Sequence, residues 1–181
     1  GRIDTYTERE VHMHWKLISL LLLIFISFPY VSGANPSSFP SPPHISSLAA
    51  ILMDATTGTI LYEKNADLPH PPASLTKVVT IHILLDRIKR GEISWQTPVP
   101  LPPETWAIHQ PSDSSLMFLG PNQRATVQDI LQGLAVASGN DAAIAAALFV
   151  SGSVPAFAEM MNREVERLGL TNLHFVEPSG Y

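Results

Sequence analysis

The stretch HPPASLTKVVTIHILLDRIKR, from His70 to Arg90, constrains the fold of this chain more than any other. Its prolines give way to a helical run in which, at about 100° per residue, Ser74, Lys77, Val78, Ile81, Leu84, Leu85 and Ile88 share one sector roughly 120° wide. His82, Asp86, Arg87, Lys89 and Arg90 lie outside it. Any core that takes in the Val, Ile and Leu of this helix must therefore also take in a hydroxyl and an amine. Two readings of that pair stand open on spacing alone. Ser74 caps the helix while Lys77 snorkels out of the first turn. Alternatively the pair is a nucleophile and its base, because residues at i and i+3 meet across one turn. Partial burial and the positive helix N-terminus both disfavour the ammonium and favour an amine able to accept a proton.

Composition bears on partners. The 181 residues are 45% hydrophobic and 15% charged, with net charge −5, an ordinary globular balance that expects no nucleic acid. There is no cysteine, which excludes disulfides, thiol catalysis and thiolate metal sites. Seven histidines invite a metal or triad reading, but His12 and His14 precede the apolar segment. His44, His70, His82, His109 and His174 show no i, i+4 pair and no His-Glu-x-x-His element, so no metal or other cofactor is expected.

The N-terminal region carries export chemistry. From Met13, a lysine at 16 precedes an apolar run from Leu17 to Phe28, and small residues follow at Ser32, Gly33 and Ala34. That layout predicts a signal peptide over 13–33 and residence in the periplasm or on the outer face of the cytoplasmic membrane. An uncleaved anchor is the alternative, although 12 apolar residues fall short of the roughly 20 that span a bilayer. Residues 1–12 read as an upstream, non-structural segment. Residues 34–46, with four prolines and four serines, read as an extended linker.

Beyond the linker, LAAILMD and TILYE around ATTG predict a β-hairpin from Ser47 to Glu63, which would want further strands beside it. Asp54 and Asp67 fit turn chemistry. Residues 94–125 hold six prolines and predict a long surface excursion with short helical pieces, whose Glu104 and Asp113 either line a substrate groove or are simply exposed. TVQD at Thr126 is a capping signature opening a helix with Val127, Ile130, Leu131 and Leu134 on one face. ASGND interrupts it at Ser138 and Gly139. An alanine-rich helix follows from Asp141, a helix-start acid. Ser153 and Pro155 open a last helix with Phe157, Met160, Met161, Val165 and Leu168 as its buried stripe and Gly169 as its stop. LHFV predicts a short strand before a turn at Pro178 to Gly180.

The ASGND loop, pinched between two buried helices, can project Ser138 and Asn140 over the start of the first helix. By itself it also reads as a glycine break with polar caps. Ser-x-x-Lys followed by Ser-x-Asn is, however, the motif order of penicillin-binding proteins and class A β-lactamases, which continue to a Lys-Thr-Gly. DATTGTILYEKNADLPHPPASLTKVVT, GPNQRATVQDILQGLAVASGNDAAIAAA and FAEMMNREVERLGLTNLHFVEPSGY closely resemble the low-molecular-mass serine D-alanyl-D-alanine carboxypeptidases, from about Ser47 to Tyr181.

That resemblance implies an α/β (α+β) fold of the β-lactamase/transpeptidase-like type, an antiparallel sheet flanked by helices, over 47–181. It implies that Ser74 attacks the carbonyl between the last two D-alanines of a peptidoglycan stem peptide while Lys77 takes its proton. Ser138 would relay a proton to the leaving amine, and Asn140 would hold Lys77 and the substrate amide in register. The Ser74 amide would be one oxyanion donor, and β-lactams would act as inhibitors trapped on Ser74. The pattern breaks in one place. No Lys-Thr-Gly or Lys-Ser-Gly follows Asn140. The chain is therefore expected to be the N-terminal portion of a longer protein, poorly stable and inactive alone, with later strands and any membrane association supplied by a C-terminal segment. A secreted β-lactamase or esterase on the same scaffold and a non-catalytic cell-wall binding module remain as alternatives.

Overall fold

The computed structural model describes residues 42–181. The expected signal peptide, the upstream segment and residues 34–41 of the linker lie outside the described residues. The chain divides into two units, Gly1–Ala66 and Asp67–Tyr181, and the described part of the first is 42–66.

In the first unit, β1 (Ala50–Met53) pairs antiparallel with β2 (Ile60–Lys64), Ala50 opposite Lys64 and Leu52 opposite Tyr62, with an irregularity between Leu52 and Met53. The turn forms because the Asp54 carboxylate accepts from the amides of Thr56 (2.9 Å) and Thr57 (2.7 Å) and from the Thr57 hydroxyl. These donors, Thr57 first, hold the Asp54 carboxyl below the usual range. Gly58 closes the turn at φ +73. The hairpin thus stands where the apolar runs place it, yet Ile51, Leu52, Met53, Ile60 and Leu61 are all exposed.

The second unit is a helical assembly. A 3₁₀ turn, Ala73–Leu75, leads into α1 (Thr76–Lys89). A two-residue ribbon pairs β3 (Pro98–Val99) with β4 (Ala125–Thr126). Three helices follow: α2 (Val127–Ala135), α3 (Asn140–Ser151) and α4 (Val154–Arg167). The capping box at Thr126 forms as the sequence predicts, the Asp129 amide donating to the Thr126 hydroxyl and the Asp129 carboxylate accepting from the Thr126 amide at 2.8 Å. Ser153 caps α4 by accepting from the Ala156 amide. The excursion between α1 and α2 carries two short 3₁₀ pieces, Pro103–Thr105 and Ala107–His109, but it is not all surface, because Val99, Thr105 and Leu119 are buried.

Two apolar clusters share α1. Leu84, with Ile81 and Ile88, packs against Val127, Ile130, Leu134 and the α3 alanines, while Ile83, with Val79, packs against Phe157, Met161 and Val165 of α4. This arrangement rotates the buried face relative to the stripe expected from the wheel. Thr76, Lys77, Thr80, Ile83 and Leu84 are buried, while Val78 and Leu85 are 60% and 40% exposed. A helix clasped from two sides buries the arc between its neighbours, and here that arc is centred on Thr80 and Leu84. The strand expected over LHFV is also absent. Instead Asn162 of α4 brackets Phe175 as a neighbouring strand would, its Nδ2 donating to the Phe175 carbonyl and its Oδ1 accepting from the Phe175 amide, both at 2.8 Å.

Phe157 is wholly buried at the centre of the second cluster. Replacing it with Ala is expected to cost about 3–5 kcal/mol, measured as a lower midpoint in chemical denaturation of the full-length protein.

Candidate active site

Ser74 lies exposed in the 3₁₀ turn, and neither that turn nor α1 has a side-chain cap. The capping role is therefore not the one it fills. Lys77, one step into α1, is 2% exposed, so it does not snorkel. Its Nζ donates to Ser74 Oγ at 3.2 Å and to the Ser179 carbonyl at 2.8 Å. Burial pushes the amine below the usual lysine range, against the opposing pull of the Glu177 carboxylate. An amine that spends one N–H on a carbonyl and has lost its hydration is suited to take a proton from the hydroxyl beside it.

The segment 177–181 builds the other side of this arrangement. Thr80 Oγ1 donates to the Pro178 carbonyl at 2.8 Å. The Glu177 carboxylate accepts from the Ser179 amide (2.7 Å), the Ser179 hydroxyl (2.5 Å) and the Gly180 amide, so the turn that offers its carbonyl to Lys77 is held by one acid. Gly180 sits at φ +79, and a Cβ there would lie 1.8 Å from the Ala73 carbonyl oxygen. Ala73 itself has φ +47, strained for a residue with a side chain. The peptide preceding Ser74 is thus wedged against the 179–180 turn. The Ser74 amide makes no hydrogen bond among the described residues.

The ASGND bend forms as expected. Gly139 precedes α3, and a Cβ there would come within 2.8 Å of Asp141 Oδ1 and 3.1 Å of the Met117 amide. Asp141 does more than favour a helix start. Fully buried, it accepts from the amides of Met117 and Leu119, each at 2.9 Å, and from that of Ala142, tying the 115–119 segment to the bend. The Asn140 amide adds a bond to the Ser115 carbonyl at 2.8 Å.

A cleft of about 130 Å³ opens beside Ser74, its walls including Asp113, Ser115, Asn140, Ser179 and Tyr181. Ser74 and Asn140 therefore meet in one cavity, but the Asn140 side chain makes no hydrogen bond to Lys77. Ser138 is half-buried at φ +53, outside the cleft lining, with no side-chain hydrogen bond among the described residues. Of the two acids in the excursion, Asp113 joins the cleft, and Glu104 lines a separate depression with Pro100, Pro102 and Phe149. His70 and His174 line a third depression, and no cluster of three metal-ligating side chains occurs among the described residues. His82 instead ties α1 to α4, its Nε2 2.7 Å from Glu164 Oε1, where Arg167 first and His82 second help hold the Glu164 carboxyl at about 2. Sequence reasoning missed Glu177 and Ser179 as site residues. The Pro-Ser-Gly turn was legible, but nothing in it announces that its carbonyl meets a lysine 102 positions away.

Comparison with known proteins bears on the same residues. The family model described as D-alanyl-D-alanine carboxypeptidase, Peptidase_S11, matches residues 37–181. D-alanyl-D-alanine carboxypeptidase DacA of Escherichia coli (strain K12) is 38% identical over 176 residues, covering 96% of this chain and 44% of its own. The chain therefore spans less than half the length of that relative. Among solved structures, penicillin binding protein 5 from Haemophilus influenzae superposes with a TM-score of 0.73 at 40% identity, covering 79% of this chain and 41% of its own. Penicillin-Binding Protein D2 from Listeria monocytogenes, in its ampicillin-bound form, gives 0.65 at 27% identity over 78% of this chain and 55% of its own. The expected penicillin-binding, transpeptidase-like fold is thus the fold of these neighbours. Because the family match takes in the Ser74 and Lys77 pair, the 138–140 bend and the 177–181 turn alike, the chain belongs to the D-alanyl-D-alanine carboxypeptidase family, peptidase family S11.

Proposed function

We propose that the full-length protein is a serine-type D-Ala-D-Ala carboxypeptidase, exported by the 13–33 signal and acting on peptidoglycan stem peptides in the periplasm or at the outer face of the cytoplasmic membrane. The observation that carries this reading is the buried Lys77 amine 3.2 Å from Ser74 Oγ. Ser74 Oγ attacks the carbonyl carbon between the two D-alanines as Lys77 Nζ accepts its proton. The C–N bond then breaks, the departing D-alanine amine gains a proton, and an ester remains on Ser74. Water hydrolyses that ester to return the serine.

The unbonded Ser74 amide is suited to the oxyanion. Asn140, in the wall of the cleft, would orient the substrate amide, and Ser138 would relay the proton to the leaving amine. β-Lactams would enter as mimics of the D-Ala-D-Ala end and acylate Ser74. The family match, and a relative solved with ampicillin bound, support that reading.

Substitution of Ser74 by Ala tests the nucleophile. Covalent labelling of the full-length protein by a fluorescent penicillin is expected to vanish with the fold retained by circular dichroism. Labelling that survives the substitution sinks the assignment, and a wild-type protein that binds muropeptides but never forms an adduct reduces the chain to a binding module.

A further inference from the structure

Asp113 lines the Ser74 cleft and has no part in the mechanism. It is the only charged side chain in the lining, whose other members are Ala, Ser, Asn, Gly and Tyr. The carboxylate that acts on Lys77 is that of Glu177, and Asp113 makes no ion pair among the described residues. Its Oδ1 accepts from the Tyr181 hydroxyl at 2.6 Å, a contact that raises the tyrosine above its usual range. Nothing among the described residues donates to its other oxygen.

The position is also built. Ser114 closes a turn onto the Pro111 carbonyl, at 3.1 Å from its amide and with its hydroxyl as well. One residue further on, the Ser115 carbonyl is pinned by the Asn140 amide, and Met117 and Leu119 are pinned by the buried Asp141. The carboxylate is therefore presented by a segment anchored to the same bend that carries Asn140.

From this geometry we infer that Asp113 is a specificity-determining residue, which selects acyl donors bearing a primary ammonium on the residue next to the D-Ala-D-Ala end. This deepens the reading of Ser74 as the nucleophile and rests on it. An anionic acceptor in a small cleft, already engaged through one oxygen by a phenol and open at the other, matches a cationic donor with N–H groups to spare. Because Asp113 is exposed, the gain is modest and screened by salt.

The test compares two peptides on the full-length protein, Nα-acetyl-L-Lys-D-Ala-D-Ala with a free ε-amine and its Nε-acetylated form. The free amine is expected to be preferred by about three- to tenfold in kcat/KM at low ionic strength, through KM, with the preference shrinking in salt. In Asp113→Asn that ratio is expected to fall to about one, in Asp113→Lys to invert, and in Asp113→Glu to persist. A ratio unchanged in Asp113→Asn overturns the inference, including the case where both peptides slow in parallel, which is what a merely structural role would give. Mass spectrometry of the wild type after benzylpenicillin separates the two levels. An adduct at Ser74 without a preference for the free amine sinks only the role of Asp113, whereas absence of the adduct sinks the nucleophile and this role with it.

Discussion

Replacing Lys77 with Arg is expected to slow acylation of Ser74 by benzylpenicillin by about 10²–10⁴-fold, the range that a positioned general base contributes. Arginine keeps a cation within reach of the hydroxyl but cannot give up its proton, so the variant separates charge from basicity. The wild-type amine is poised for the role because burial lowers its pKa from the ordinary 10.5, while the Glu177 carboxylate pulls the other way. The sign of the pH dependence follows. At low pH the amine is an ammonium with no lone pair, and the acylation rate should climb as pH rises through the lowered pKa, levelling before the ordinary lysine range. Lys77→Arg should be slow throughout and lack that limb. Rates near wild type, or an unchanged pH profile, would show that the hydroxyl is activated by some other group.

Gly180→Ala is expected to destabilise the protein by about 2–5 kcal/mol and to disable the site at once. A residue with a Cβ costs about 1–2 kcal/mol in the left-handed region, and overpacking a closed contact adds about 1–3 kcal/mol. Both apply here, since φ is +79 and the new carbon would lie 1.8 Å from the Ala73 carbonyl oxygen and 2.7 Å from Thr76 Oγ1. Relief requires the 179–181 turn to lift away from the residue preceding Ser74, and the Ser179 carbonyl leaves Lys77 with it. Denaturation of the full-length variant should show the lower midpoint, and in the fraction that stays folded penicillin labelling should fall as well. A Gly180→Ala protein with unaltered stability and labelling would contradict the close packing of this turn.

The local devices were legible in the residues themselves. The Thr126 and Asp129 box, the Ser153 cap, the Asp54 turn and the break at Gly139 each depend on groups within a few positions of one another, so their chemistry is written in adjacent letters. The Ser74 and Lys77 pair belongs to the same class, because one helical step brings the two atoms together. Wheel reasoning misplaced the buried face of α1, exposing Val78 and Leu85, since the wheel ranks residues by apolarity and two flanking clusters chose the arc instead. The strand expected at LHFV failed for a related reason. Asn162 rather than a neighbouring strand satisfies the Phe175 backbone, and of the apolar residues in the segment only Phe175 is buried.

What the sequence by itself determined, then, are contacts that close within a turn or two of backbone: the caps, the hairpin turn, and a hydroxyl and an amine set one step apart on a helix. Only the tertiary structure decided that the amine is buried, that its second partner is the Ser179 carbonyl, and that Asp113 and Asn140 share a cleft with Ser74. Those outcomes depend on chain segments remote in sequence being pressed together. The burial that shifts a lysine, or brings a carboxylate to a cleft, is a property of the packed neighbours and not of the residue.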